Sequence, residues 1–171
     1  MIERECRVVL IGERGVGKSS IINRFCNSEY NEESNHTLFV NCYKRKINYK
    51  EKTLSFLVWD TPVPSDRSAV DVVFLDANII FMIYSQDIEN SFNEIKEYWY
   101  NRINEKSRNK PIVYIVKSKC DKKTKNEFSN EEMEFIAENN LKFSVVSAKD
   151  NMKIDELFKT AGKEYMTINR L

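Results

Sequence analysis

The chain has 171 residues, 31% of them charged and 42% apolar, and a formal net charge of +1. That length suits one domain with a sizeable core. The near-zero charge provides no global field to draw the chain to nucleic acid, and the longest apolar run, residues 79–84, is far too short to span a bilayer. In chain order, the apolar residues 6–11 predict a buried strand, entered directly from a charged start with no signal-peptide pattern. GERGVGKSS follows over residues 12–20, and an amphipathic segment over 20–25 reads as a helix. Residues 39–47 alternate and carry many basic side chains, which predicts a more exposed strand. Residues 53–59, 79–84, 112–117 and 143–146 read as further buried strands. Ser91-Phe-Asn-Glu94 has the form of a capping box, opening a helix whose apolar face is Phe92, Ile95, Tyr98, Trp99 and Ile103. Ser129-Asn-Glu-Glu132 is a second such box, and Ile154, Leu157, Phe158, Ala161 and Tyr165 make a last amphipathic helix. Strands alternating with helices imply a mostly parallel sheet covered on both faces, with ligands at the carboxyl ends of the strands. Cys6, Cys26, Cys42 and Cys120 lack paired close spacing, and His36 is the only histidine. Reduced thiols in a cytosolic chain are therefore expected, with no zinc site.

The spacing Gly12, four residues, then Gly17-Lys18-Ser19 is the phosphate-binding loop pattern. Such a turn aims successive backbone N–H groups inward and makes a concave anion site, and the helix behind it points its positive end at the phosphates. The candidate phosphate-binding residues are Arg14, Gly15, Val16, Gly17, Lys18, Ser19 and Ser20. Lys18 supplies a point charge for the β and γ phosphates, and the Ser19 hydroxyl can ligate Mg²⁺. A chance glycine-rich turn is the alternative, but the β-branched strand before it and the amphipathic segment after it favour the loop.

Asp60 closes the apolar run Leu57-Val-Trp-Asp60, the usual place for a carboxylate that holds Mg²⁺ beside such a loop. Thr37 lies in a polar segment and reads either as an ordinary loop threonine or as a hydroxyl completing the metal shell. At the end of the 112–117 strand come Ser118, Lys119 and Asp121. A carboxylate such as Asp121 can accept two hydrogen bonds from guanine that adenine does not offer, and the stem of Lys119 can cover a ring face. Ser147, Ala148 and Lys149 end the sixth strand, where a backbone N–H can donate to guanine O6.

In order, these boxes resemble the small GTPases of the Ras superfamily, over nearly the whole chain from about Arg4 to about Met166. GERGVGKSS continued by SSIINRF, FLVWD at 56–60 and YSQDIENSFNEIKEYW at 84–99 look most like a Rab. The resemblance implies a P-loop NTPase-type three-layer α/β/α domain with a six-stranded, mostly parallel sheet. It also implies GTP or GDP with Mg²⁺ as ligands. It sets Thr37 at the switch threonine, making Ser19, Thr37 and Asp60 the expected metal set, and Tyr30 where an aromatic flanks guanine. Effector and exchange proteins would act through segment 31–40, opening at Asn31 and closing at Val40, and through segment 61–69, from Thr61 to Ala69.

Three departures matter. Asp60 is followed by Thr61-Pro62-Val63-Pro64-Ser65 where the family has Thr-Ala-Gly-Gln-Glu. Val63 keeps an N–H for the γ-phosphate but not a glycine's backbone range, and Pro64 has no amide to orient the attacking water. Arg14 is a long cation where the family often has Gly, Ser or Ala. It can crowd a helper's arginine finger, lean over the phosphates, or lie in solvent. Ser118 replaces an asparagine that ties guanine N7 to the phosphate loop, so weaker and less selective guanine binding is expected. The chain ends Ile168-Asn-Arg-Leu171 without a C-terminal cysteine box, so no prenylation tail is expected. The reading is one monomeric GTP-binding domain over 1–171. It is cytoplasmic, brought to membranes by a partner or an extension, and acts as a slowly hydrolysing switch in trafficking or signalling. A pseudo-GTPase scaffold with structural, weak or no nucleotide binding is the alternative. A P-loop kinase is disfavoured by the Ser118–Asp121 and Ser147–Lys149 elements and by the want of an Arg-rich lid.

Overall fold

The computed structural model describes residues 2–32, 37–50, 52–62, 70–122 and 128–171. Strand β1 (Ile2–Ile11) runs into helix α1 (Lys18–Asn27), then β2 (Asn41–Tyr49) and β3 (Lys52–Asp60). A short helix α2 (Asp71–Phe74) precedes β4 (Ile79–Tyr84). Then come α3 (Ser91–Glu94), a π-helical stretch Ile95–Trp99, and α4 (Tyr100–Lys106). β5 (Ile112–Lys117), α5 (Asn130–Glu138), β6 (Lys142–Val145) and α6 (Ile154–Ile168) follow. The six strands form one sheet in the order β2-β3-β1-β4-β5-β6, parallel throughout except for the β2–β3 pair.

Both faces of the sheet are covered, which is why the central strands read as continuous apolar runs. All six residues of β4 are buried. On one face Val8, Leu10, Phe56 and Phe81 meet α1 and α6, where Phe25 and Phe158 stack with ring centroids 3.7 Å apart. On the other, Val9, Ile11, Met82 and Ile115 meet Phe74, Ile95, Trp99 and Ile136. Gly162 of α6 sits so close to the sheet that a Cβ there would lie 2.4 Å from Phe56 Cζ and 2.8 Å from the Tyr49 hydroxyl.

Some elements differ from the sequence expectation. The exposed strand begins at Asn41 rather than at residue 39, leaving Leu38 and Phe39 exposed ahead of it. The capping box at Ser129 forms: its Oγ accepts from Glu132 N at 3.2 Å, and Glu132 Oε2 accepts from Ser129 N at 2.7 Å. The box at Ser91 does not form. The Ser91 hydroxyl donates to the Ser85 carbonyl at 2.8 Å and accepts from Ser85 N at 3.2 Å, so it closes the preceding turn instead. Asn90, in the left-handed region at φ 61°, is the capping residue there. Among the described residues no helix is long and apolar enough to cross a membrane.

Candidate functional site

Strand β1 ends at Ile11, and the chain turns through Gly12, Gly15 and Gly17 before entering α1. Gly12, at φ 144°, passes so close to β4 that a Cβ would meet the Ile83 carbonyl at 2.1 Å. Gly17, at φ 99°, is the left-handed cap of α1. Any L-residue is strained at such angles. The turn folds back on itself so that Lys18 Nζ donates to the Gly12 carbonyl at 2.8 Å and the Glu13 carbonyl at 2.9 Å. Burial presses the Lys18 pKa down to about 8, against the opposing pull of Asp60 and Glu13. The ammonium is thus a concentrated positive charge with little water around it.

Beside it three oxygen groups converge. Ser19 Oγ lies 2.8 Å from Thr37 Oγ1, and Thr37 Oγ1 donates to Asp60 Oδ2 at 3.2 Å. Asp60 is buried, and its Oδ1 has no hydrogen-bond partner. Burial raises the Asp60 pKa, while the Ser19 hydrogen bond, the Lys18 charge and the Thr37 hydrogen bond oppose the rise. Two hydroxyls and a carboxylate with a buried, unpartnered oxygen make an all-oxygen donor set that suits a hard divalent cation such as Mg²⁺. Asp60 is positioned by its neighbour: Thr61 Oγ1 donates to the Leu10 carbonyl at 2.8 Å, pinning the end of β3 to β1.

The second half of the site lies at the ends of β5 and β6. Ser118 Oγ reaches the Val16 carbonyl at 2.5 Å and the Tyr84 carbonyl at 3.0 Å. The phosphate loop thus lies within reach of the single Ser118 hydroxyl. Asp121 Oδ1 accepts from Ser147 Oγ at 2.6 Å, and Ser147 Oγ in turn accepts from Asp150 N at 3.0 Å. Lys119 has a left-handed backbone, and its Nζ lies 3.0 and 3.2 Å from the Asp87 carboxylate oxygens. Lys122 and Ser85 also hydrogen-bond Asp87. Burial alone would raise the Asp87 pKa, but these Lys122, Ser85 and Lys119 contacts outweigh it and bring the pKa down to about 2.

A cleft of about 760 Å³ connects the two halves. Lys18, Ser19, Thr37, Ser118, Lys119 and Asp121 all line it, as do Arg14, Gly15, Gly17, Ser20, Tyr30, Ala148 and Lys149. Val16, Asp60 and Ser147 are buried and do not line it. Val63, Pro64 and Ser65 lie outside the described residues, as do His36 and the parts of segments 31–40 and 61–69 that fall within 33–36 and 63–69.

The sequence reading missed two residues of the rim. Arg24 of α1 donates from Nε to the Ala148 carbonyl at 2.8 Å and from Nη2 to the Lys149 carbonyl at 3.2 Å, and its guanidinium lies 5.7 Å from the Tyr30 ring centre. One planar fork thereby joins α1, Tyr30 and the segment after β6. An arginine on the polar face of an amphipathic helix carries no signal for this. Asp87 had one, since like Asp60 and Asp121 it follows the carboxyl end of a central strand.

Comparison with known proteins agrees with this geometry. Residues 7–167 match the family model of the Ras family. The chain is 30% identical over 164 residues to the GTP-binding protein ypt3 of Schizosaccharomyces pombe, an overlap of 95% of this chain and 76% of that protein. It is 31% identical over 154 residues to the Ras-related protein Rab-21 of Mus musculus, covering 89% of this chain and 69% of the relative. Against the Ras-related protein Rab-8B of Bos taurus the identity is 30% over 167 residues, with 96% and 80% covered. With the glycine loop, the strand-end carboxylates and the parallel sheet arranged as described, the chain belongs to the Ras family and is a Rab-like small GTPase of that superfamily.

Proposed function

We propose that the chain is a guanine-nucleotide switch of the Rab type, holding GTP or GDP with Mg²⁺ in the 760 Å³ cleft and hydrolysing GTP slowly. The observation that carries this reading is the convergence of Ser19, Thr37 and the unpartnered Asp60 Oδ1 beside the Lys18 ammonium. That arrangement has little purpose without a phosphate and a cation. The loop amides and Lys18 would take the phosphates. Ser19, Thr37 and Asp60 would hold Mg²⁺, which when bound neutralises charge on the phosphoryl oxygens. Asp121, Lys119 and the backbone of 147–149 would receive the base, with Tyr30 beside it. Hydrolysis depends on placing a water in line with the γ-phosphate. Pro64, where the family has glutamine, has no side-chain amide to do so. Leu38 and Phe39, 75% and 76% exposed, support segment 31–40 as a surface for effector and exchange proteins, in keeping with a role in vesicle trafficking.

The test is titration of labelled GTP and GDP with and without Mg²⁺, followed by single-turnover hydrolysis. Micromolar or tighter binding that requires Mg²⁺ is expected, with a hydrolysis rate below that of a glutamine-bearing Rab. An equal rate would end the slow-switch reading. The second reading, a pseudo-GTPase module, draws on Ser118, whose hydroxyl is already engaged by two carbonyls. Mass spectrometry of nucleotide released from the purified protein separates the two readings.

A further inference from the structure

The base-recognition residues Lys119 and Asp121 sit on chain that leaves β5 after Lys117 and rejoins described structure at Phe128, just before α5. The two ends of this excursion meet in a buried ion pair. Lys117 Nζ lies 3.4 Å from Glu132 Oε2, with side chains 4% and 7% exposed. The same Oε2 accepts the amide of Ser129 at the start of α5. The Phe128 ring centre lies 5.4 Å from the Lys117 ammonium, and the Tyr84 ring closes the other side at 6.0 Å. Lys117 is also fixed through its backbone. Its carbonyl accepts from Val146 N at 2.9 Å, and the next amide, Ser118 N, donates to the Tyr84 carbonyl at 2.9 Å. Val146 precedes Ser147, so this one residue joins both base-recognition segments.

A buried ion pair is a poor way to gain stability. Desolvating two charges offsets most of their attraction, and apolar side chains of similar size do as well or better. What such a pair supplies is registry: an ammonium in this pocket is tolerated only where a carboxylate meets it. We propose that Lys117 and Glu132 are positioning residues. Together they staple the two ends of the excursion that carries Lys119 and Asp121, and so govern how long and how selectively a guanine base is held. This rests on the guanine-nucleotide reading above.

The experiment measures the dissociation rate of labelled GDP, the preference for GDP over inosine diphosphate, and the melting temperature. It compares the parent with Glu132→Gln, Phe128→Leu and the double variant Lys117→Met/Glu132→Gln. Glutamine can still accept from Ser129 N, so the helix cap survives. In the double variant we expect an unchanged or higher melting temperature, about tenfold faster GDP dissociation and a reduced GDP preference. Glu132→Gln alone removes the carboxylate charge facing the buried ammonium and lowers the melting temperature. Phe128→Leu keeps the ion pair but removes the ring over it, and should speed release severalfold. A folded double variant with parental dissociation rate and parental base preference overturns the proposal. If the double variant does not fold, parental release from Phe128→Leu does so. A parent that binds no labelled GDP overturns the guanine-nucleotide reading, and this inference with it.

Discussion

Lys18→Met should leave the stability of the fold at pH 7 nearly unchanged while weakening nucleotide binding. At pH 7 the Lys18 ammonium is held charged although its pKa has fallen from 10.5 to about 8, chiefly by burial. At about 1.4 kcal/mol per pK unit that costs the folded state about 3 kcal/mol. Methionine has a similar reach without the charge, but it strands the carbonyls of Gly12 and Glu13, which accept at 2.8 and 2.9 Å. Two hydrogen bonds lost from a charged donor cost about 3 kcal/mol together. The two terms nearly cancel, so the variant's melting temperature at pH 7 should stay within about 3 °C of the parent's for a chain of this size. The pH dependence is the sharper test. A lysine whose folded pKa is depressed carries its full penalty below the folded value and sheds it as pH rises toward the unfolded value. The parent should therefore gain about 3 kcal/mol on the variant between pH 8 and 10.5. The assay is thermal unfolding of both proteins, stripped of nucleotide in chelator, at pH 7 and pH 10. Labelled GDP binding at pH 7 should weaken at least tenfold in the variant, about 1.4 kcal/mol or more. A variant less stable at pH 7, by a margin that does not change with pH, would refute the reasoning.

Gly162→Ala should lower stability to urea by about 1–2 kcal/mol, because crowding against Phe56 and Tyr49 outweighs the helix-propensity gain. A stabilised variant would mean that α6 does not pack this closely. Ser118→Ala cuts the tether to the Val16 carbonyl and should speed labelled-GDP release about fivefold, the scale of one hydrogen bond of about 1 kcal/mol. Ser118→Asn can keep that tether and add a donor, and should slow release; no change in either variant would remove Ser118 from the site. Asp87→Asn should destabilise by less than about 1 kcal/mol, since its lysine partners lie near the surface. The folded pKa of Asp87, about 2, is below the ordinary 3.8, so that contribution is complete above pH 3.8 and is lost as pH falls through 2. Urea unfolding of parent and variant at pH 6 and pH 2.5 should show the gap narrowing; a constant gap would mean the carboxylate charge is not its source.

What was legible in the sequence is what chemistry confines to short stretches. The glycine spacing of residues 12–20 reflects the curvature of a phosphate cradle, so it can be read without knowing the fold. Apolar runs marked the central buried strands because both faces of a parallel sheet are covered, but the 143–146 run was misread as buried: β6 is the sheet edge and Phe143 is 48% exposed. The Ser129 capping box was legible because all its partners lie within three residues. The Ser91 box has the same spacing, yet its hydroxyl turned to a peptide six residues earlier. No local pattern encodes that choice. Arg24 meets carbonyls more than 120 residues away, and Lys117 meets a glutamate on the next helix. Such pairs appear only once the sheet order is known. The contact of Ser118 with the Val16 carbonyl, 102 residues away, belongs with them.

The two halves of the cleft are built on opposite principles, and this divides the work of the site. On the phosphate side the polar groups are left wanting: Asp60 has a buried oxygen without a partner, and Lys18 keeps its charge against burial. Groups held in that condition gain most when a phosphate and a cation arrive, so affinity should reside there. On the base side the polar groups already hold one another: Asp121 with Ser147, Lys119 with Asp87, Ser118 with Val16, and Lys117 with Glu132. They gain less enthalpy from a ligand but lose little freedom in meeting it, which favours selection and retention. The replacement of the family's glutamine by Pro64 concerns a third task, the placing of the attacking water. Substitutions at Lys18 or Asp60 should therefore abolish loading, those at Ser118 or Lys117 should shorten residence, and those at Pro64 should alter turnover alone. A switch of this construction can bind and still hydrolyse slowly, because the change at Pro64 bears on placing the attacking water, which binding does not require, whereas Arg14 and Ser118 line the cleft and bear on binding itself.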